Sequence, residues 1–520
     1  MATTRYRKRS SSSRPAPSLG KPRGVLHPRV QQVGPEHFGI VCFDCAKARS
    51  KFLLADFYGR VLIPPTIVEH NRPDLDAAVA QVRQAFDNYQ LRDGLVAIER
   101  TGRYHRLVQR TFAAAGFETR ILHPFVTKQY RQPVDPGYKT DDTDLAAMHR
   151  ATVTGCALLE ATRDEAWTTL LLLIRQRRDL VRKGAALNCQ IRDHLQAALP
   201  GFADCFDKLW ESPIPWHLLQ HFPSAGQLRQ AGVTTLCQSL RQAGIRFQQR
   251  TVQSVLDWAD QAAPADVAAA QHHRIALAYY RDRQQKSQEI HALERDIAGR
   301  LVQTPYVLLL SFPGINVVSA ADFAGEMGPI EHYANAKSIT GRAGLRPSRY
   351  QSDQVDKANG PLVRNCNRSL RAAILGIADN LIVCNHHFQV LATQWAAQGK
   401  NPRHTRVKVA LRFCRIAFHM VAGRQVFRHP SIQGRHYILD KLSAFHRDHD
   451  TGMAEVLRDL QAAVGQVPAH EHAAEARPLA EELQKIHDGH RRGPQLLGDI
   501  LPIVLARLGV GAVKSEGSGE

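Results

Sequence analysis

FGIVCFDCAKARSKFLLADFYGRVLIPPTIV, residues 38–68, decides the fold. FGIVCFDCA (38–46) is an apolar run that predicts a strand, and KFLLADFYG (51–59) and RVLIPPTIV (60–68) follow as two more, divided by short turns. The period then changes. RPDLDAAVAQVRQAFDNYQL (72–91) has helical spacing, and GLVAIE (94–99) is a short buried strand. RYHRLVQRTFAAAG (103–116) predicts a helix ended by Gly116, FETRILHP (117–124) a strand, and DDTDLAAMHRATV (141–153) a further helix. Three strands in a meander followed by alternating helix and strand make a mixed sheet covered by helices.

Beyond residue 160 the pattern is helical. Leu173, Leu180 and Leu187 recur at seven residues, continued by Ile191 and Leu195, and Ile290, Leu293, Ile297 and Leu301 step by three or four. These stripes suit a helical hairpin or coiled coil, or equally two ordinary core helices, and Gly184 beside Arg182 and Lys183 weakens one long uninterrupted helix. PIPWHLLQHFPSAGQLRQAG (213–232) carries the prolines of a break. PYVLLLSFPGINVVSAADFAGEMG (305–328) opens a new module in which PGI (313–315) is a tight turn, of a kind that can offer backbone N–H groups to a phosphate. SLRAAILGIADNLIV (369–383) and RVKVALRFCRIAFHMVAG (406–423) predict helices, the second with a basic face. Residues after about 435 are polar, rich in His and Ala, and helical in parts.

The 520 residues are 44% hydrophobic and 22% charged, ordinary for a globular protein of two or three domains. No apolar run approaches the ~18 residues of a membrane span. The N-terminus MATTRYRKRSSSSRPAPSLGKPRG lacks the apolar core of a secretory signal and predicts a disordered basic tail. A net charge of +20 points to a polyanionic partner, most simply nucleic acid. Nine scattered cysteines, with a lone CxxC at Cys42 and Cys45 and Cys384 near His386 and His387, assemble no zinc site and suit buried thiols in a reducing cytosol.

GYKTDDTDLAAMHR (137–150) gathers Asp141, Asp142 and Asp144. On a helix Asp141 and Asp144 share a face while Asp142 points elsewhere. Acidic residues in a first turn also favour the positive end of the helix dipole. Two more carboxylates alter that reading: Asp44 sits at the end of the first strand and Glu99 ends the fourth. A charge at a buried strand end is costly unless paired or metal-bound. In the predicted order the first and fourth strands are neighbours and the last helix crosses near them, which brings Asp44, Glu99, Asp141 and Asp144 together. Four carboxylates suit two hard cations, Mg²⁺ in the first place, of the kind that clamp attacking and leaving oxygens in phosphodiester chemistry.

Asp44, IERTGRYHR (98–106), ILHPFVTKQYRQ (121–132) and KTDDTDLAAM (139–148) together resemble the DEDD transposases of insertion sequences, which have a RuvC-like nuclease domain and include the Piv-type DNA invertases. LLLSFPGINVVSAADFAGEMG (308–328), ITGRAGLRPSRYQSDQ (339–354) and NRSLRAAILGIADN (367–380) resemble that family's C-terminal transposase domain. The motifs keep the family's order and span most of residues 38–428. The resemblance implies an α/β plus α chain: a RuvC/RNase H-like domain with a mixed sheet (36–158), a helical, coiled-coil middle region for oligomerisation (159–303) and a mostly helical transposase domain (304–428); the disordered basic tail (1–35) and the polar C-terminal extension (429–520) lie outside it.

It also implies Asp44, Glu99, Asp141 and Asp144 as the metal-binding tetrad, with two Mg²⁺ ions, and Ser352 as nucleophile. The family usually has a glycine after that serine, where this chain has Asp353; Ser348 is the nearest alternative. Arg346, Arg349, Arg364, Arg368 and Arg371 surround Ser352 in sequence and suit phosphate contacts. Members cut and rejoin DNA, several of them guided by a bridge RNA from the element's own ends, as dimers or tetramers in the bacterial cytoplasm. The competing expectations are a junction-resolvase-like nuclease that uses water and a relative that binds nucleic acid without cutting it.

Overall fold

The computed structural model describes residues 25–134, 136–160, 163–352, 355–357, 360–430 and 437–468, and divides into two units, 1–162 and 163–520. In the first unit, helix α1 (His27–Val33) precedes strands β1 (Phe38–Cys45), β2 (Arg49–Asp56) and β3 (Val61–Glu69). Then come α2 (Arg72–Asn88), β4 (Asp93–Glu99), α3 (His105–Ala114), β5 (Thr119–Leu122), α4 (Pro124–Arg131) and α5 (Asp141–Val153). The strand order is β3-β2-β1-β4-β5, with β1 antiparallel to β2 and parallel to β4. This is the expected RuvC-like mixed sheet.

Strand alternation sorts the sheet's residues into two cores. Val41, Phe43 and Cys45 of β1 and Val96 and Ile98 of β4 pack with α2 and α3. Ile40 and Cys42 with Leu95 and Ala97 face the other way, against Leu26 and Val30 beside and on α1 and Leu145 and Met148 on α5. The basic tail expected over residues 1–35 is therefore shorter: residues 1–24 lie outside the described residues, and α1 is built into the core. Pro124 also opens a helix rather than closing a strand; it is the first residue of α4, whose N-cap His123 accepts from the Phe125 N–H.

The second unit begins with α6 (Glu165–Ala198) and continues through α7 (Ile214–His221), α8 (Ala225–Gln242), α9 (Gln249–Gln261) and α10 (Ala269–Leu301). Helix α6 runs unbroken through Gly184. Arg177 bonds Glu294, Arg283 bonds Asn188 and His194 bonds His272, so α6 and α10 run antiparallel as a long hairpin. At its far end α7 to α9 close a separate core, where Trp216 stacks on Tyr280 with ring centroids 3.7 Å apart.

The near end belongs to a different core. Leu170 and Ile174 of α6 and Ile297 and Leu301 of α10 pack with α11 (Val317–Met327). After α12 (Ala336–Arg342) and the short strands β6 (Tyr350–Ser352) and β7 (Val355–Lys357), the chain continues as α13 (Arg368–Cys384), α14 (His386–Ala397) and α15 (Pro402–Ala422). The same core takes in Ile438, Leu442 and Phe445 of α16 (Ile438–Asp448) and Val456 and Leu460 of α17 (Met453–Gln466). Residue 304 is thus not a core boundary, and the first described part of the expected polar extension is core. The PGI turn faces inward: Lys441 of α16 donates to the carbonyls of Leu310, Phe312 and Ile315 at 2.6, 2.6 and 2.9 Å, so the turn's backbone is held by a cation.

Glu326 on α11 is the hub of this unit. It is fully buried, and it accepts from Arg175 at 3.1 and 3.2 Å, Arg178 at 2.9 Å and Asn367 at 3.0 Å. Burial pushes its carboxyl up, and Arg175, Asn367 and Arg178 outweigh burial, leaving it below the usual range. Arg163 closes the same helix end by donating to the carbonyls of Gly325, Glu326 and Met327. Breaking such a set from one side strands the remaining charges, at about 3–5 kcal/mol. Glu326→Ala should lose about that much stability in urea unfolding; a loss under about 1 kcal/mol would show that solvent satisfies the arginines and that Glu326 is not the hub.

Candidate functional site

Asp44 and Glu99 lie one step beyond the last paired residues of two neighbouring parallel strands, Phe43 and Ile98. By alternation both share the sheet face of Cys42 and Ala97, the face covered by α5. Helix α5 is started by a capping box in which Thr140 accepts from the Thr143 N–H and Thr143 accepts from the Thr140 N–H. That cap fixes the rotation of the first turn. Asp144 is turned into the unit and buried, Asp141 is exposed, and Asp142 is turned outward to pair with Lys51 at 2.5 Å.

Electrostatics couple Asp44 to Asp141 and Asp144, and Glu99 to Asp44 and Asp144. Burial, then the charges of Asp141 and Asp144, hold the Asp44 carboxyl above its usual range, with Lys139 opposing. Burial, then Asp44 and Asp144, push Glu99 up to about 7, against Lys139 and the Thr127 hydroxyl. Thr127 is buried on α4, and its hydroxyl forms no hydrogen bond among the described residues. The site is short of positive charge.

Two basic residues supply part of it. Arg131, the last residue of α4, bonds Asp144 Oδ1, and Lys139 Nζ stands 4.0 Å from Asp144 Oδ2. Both lie in stretches quoted above for their resemblance, but neither was singled out as part of the site. With Arg131 on Asp144, no three His, Cys, Asp or Glu side chains among the described residues are grouped closely enough to hold an ion. The donor chemistry nonetheless fits a hard divalent cation: four carboxylates, no thiolate and no imidazole, two of them, Asp44 and Glu99, held above their usual range by burial and by neighbouring carboxylates.

The expected serine lies in the second unit. A hairpin arm leaves the core between α12 and α13. Its base is joined by a bridge between Pro347 and Leu362 and by Ser348 N–H to the Pro361 carbonyl, and its outer part is the β6–β7 ladder, which ends at the Ser352–Val355 pair. Ser352 is exposed there. Ser348 is half-buried at the base, where its Oγ packs so close to Gly360 that a Cβ there would meet it at 2.4 Å. Asp353 lies outside the described residues. Arg346, Arg349, Arg364 and Arg368 are exposed. Arg371 instead donates to the carbonyls of Ala343, Gly344 and Val363, tying the foot of the arm to α13.

Residues 41–200 match the family model of DEDD transposases of the IS110 type, described as Transposase, and residues 306–395 match a model described as Transposase IS116/IS110/IS902 family. A comparison with curated proteins gives no match. No helix among the described residues is long and apolar enough to cross a membrane.

The elevated Glu99 carboxyl predicts a pH signature. The folded chain holds this proton more tightly than the unfolded chain, so its contribution to stability is full below about pH 4, near the ordinary range of Glu, and is lost as pH rises through about 7. In chelator, Glu99→Gln should raise the melting temperature by a few degrees at pH 8 and hardly at all near pH 4.5. An equal gain at both would mean that Glu99 does not titrate in the cluster.

Proposed function

Because the chain belongs to the IS110-type DEDD transposases, we propose that it cuts and rejoins DNA strands of an insertion sequence through a metal-binding tetrad and a serine nucleophile. The observation that carries this reading is the convergence of Asp44, Glu99, Asp141 and Asp144, with Glu99 pushed up to about 7 by burial and its neighbours. Asp44 and Glu99 would hold divalent ions, Mg²⁺ in the first place and two in number, from the strand ends, and Asp141 and Asp144 would hold them from α5. Bound there, such ions polarise a phosphate and favour the ionised form of an attacking hydroxyl.

Ser352 supplies that hydroxyl. Its exposure on the hairpin arm supports it over Ser348, whose oxygen is packed against Gly360. The Ser352 Oγ forms a bond to phosphorus, and its proton passes to a carboxylate or to solvent. The bond from phosphorus to one sugar oxygen breaks, and that oxygen leaves with the electron pair and takes up a proton. The strand end is then held on serine without hydrolysis. Attack by a sugar hydroxyl of another strand reverses the step and releases Ser352. Two or four copies of the chain would take part, the serine of one serving the carboxylates of another, with a bridge RNA choosing the sites by base pairing.

Thr127 and Lys139 prepare the cluster. Thr127 favours the ionised form of Glu99, and Lys139 favours the ionised forms of both Asp44 and Glu99. Arg131 pairs with the buried Asp144 and holds its carboxylate in place.

The test incubates purified protein and its copurifying RNA with Mg²⁺ and labelled element-end DNA, resolved on denaturing gels. A covalent protein–DNA band is expected from the wild type and from Ser348→Ala, and none from Ser352→Ala or Asp144→Ala. Cleavage without a covalent band would instead mean that water attacks. Binding without cleavage in the wild type would mark a non-catalytic relative.

A further inference from the structure

Residues 380–439 contain no Asp or Glu, yet they carry nine Lys and Arg and six His. The centre of this run is α15, a 21-residue helix that also lies beyond the matched residues 306–395. Its inner face is core: Thr405, Val409, Phe413 and Met420 are buried. Its outer face presents His404, Lys408, Arg412, Arg415 and His419 at steps of four, four, three and four, exposed except for the half-buried Lys408. That stripe runs about 22 Å along the helix, which matches about six phosphates of one duplex strand.

Among the described residues, the cations of this face have no counter-ions. Among the described residues, the elements packed on α15 offer two carboxylates, Asp379 on α13 and Glu331 in the turn at 330–332. Asp379 takes Arg406, off the stripe, at 2.5 Å. Lys408, Arg412 and Arg415 form no ion pair among the described residues. Like charges three and four apart destabilise a helix, so the stripe is maintained against its own repulsion.

A second feature holds the cations in place. Trp395 of α14 lies under both Lys408, 5.0 Å from its ring, and Arg412, at 5.8 Å. Lys400, from the turn between α14 and α15, is crowded onto the same spot: partial burial and the Lys400 ammonium push Lys408 below its usual range. An ordinary solvated surface lets lysines diverge. This one fixes two against each other and an aromatic ring, as a site for a polyanion would.

We propose that the outer face of α15, with Lys400 and Trp395 beside it, is a nucleic-acid surface separate from the arginines around Ser352, and that it grips the phosphodiester backbone without reading bases. The proposal rests on the transposase reading for the kind of polyanion and on neither Ser352 nor the carboxylates for its geometry. Backbone contacts without base contacts position a duplex or a structured RNA, and the chemistry is shared by both.

The test measures affinity of the full chain, by fluorescence anisotropy from 50 to 300 mM salt, for an element-end DNA duplex and for a structured RNA of similar length. The variant is Lys400→Gln/Lys408→Gln/Arg415→Gln. Its control, Arg229→Gln/Arg246→Gln/Arg250→Gln, removes equal charge from exposed positions on α8, the loop after it and α9. Each lost phosphate contact lowers the slope of log K against log salt by about 0.9 on duplex DNA and about 0.7 on single strands. The patch variant should lose about two to three from the slope and the control should keep it. Loss with RNA alone or DNA alone assigns the surface to that polymer and supports the proposal, as does loss with both. An unchanged slope with both probes, or an equal loss in the control, overturns it.

Should the patch triple not fold, Arg415→Gln, at an exposed position, is expected to lose about one contact's slope, and an unchanged slope there overturns the proposal too. The chemistry is read separately. An Asp44→Asn chain that no longer cleaves but keeps the wild-type slope supports the surface. A patch triple that stops cleaving while keeping that slope counts against it.

Discussion

The repulsion among Asp44, Glu99, Asp141 and Asp144 is the constraint that the first unit is built to hold. Each element contributes to it through a simple rule. Parallel pairing of β1 with β4 puts Asp44 and Glu99 side by side, and strand alternation turns both toward α5. The Thr140–Thr143 box sets where α5 begins, and so which aspartates of its first turn enter the site. Nothing in the sheet itself needs carboxylates there. Leucine at both strand ends would satisfy the neighbouring cores better, because burying charge without a partner is unfavourable. Under the proposed function, such a cluster is kept for the charge that it would attract.

The second unit buries a carboxylate too, and the contrast is instructive. Glu326 is surrounded by two guanidiniums and an amide, and its carboxyl sits below the usual range. Its charge is permanently met, by side chains from α6 and from the start of α13, so it fastens elements together. Among the described residues Glu99 has no guanidinium or ammonium within bonding distance, and it is pushed up to about 7. One carboxylate fastens elements because its partners are fixed, and the other is left without such a partner and, under the proposed function, would meet it in a bound cation.

Local rules made much of this legible in the sequence. Period-two and apolar runs located the five strands of the sheet, and the order of strands and helices implied the neighbouring pair that carries Asp44 and Glu99. The helices at 72–88, 141–153 and 368–384 follow from spacing and caps. What escaped depends on contacts distant in sequence or on a competing local signal. His123-Pro124 was read as a strand's end although proline in a first turn also opens helices. That reading hid α4, and with it the roles of Arg131 and Thr127. The Glu326 hub joins residues 41 to 151 positions apart, and no window reveals it. Residues after 435 looked polar because His and Ala dominate their average, yet Ile438, Leu442 and Phe445 recur at helical spacing and are core. Arg371 looked like its neighbouring arginines, and only the carbonyls around it separate a structural cation from surface ones.

Arg131 is where these two uses of charge meet. Asp144 is buried as Glu326 is, and it is bonded by a guanidinium as Glu326 is. Yet Asp144 has one such partner and a lysine at 4.0 Å, where Glu326 has two guanidiniums and an amide. A single guanidinium can be exchanged for a divalent ion at the same oxygen, because the ion meets several carboxylates at once while Arg131 meets one. Arg131 stands at the last turn of α4, 13 residues before Asp144 and next to the loop that carries Lys139. In this reading Arg131 and Lys139 balance part of the charge that the proposed divalent ions, held by the same carboxylates, would balance.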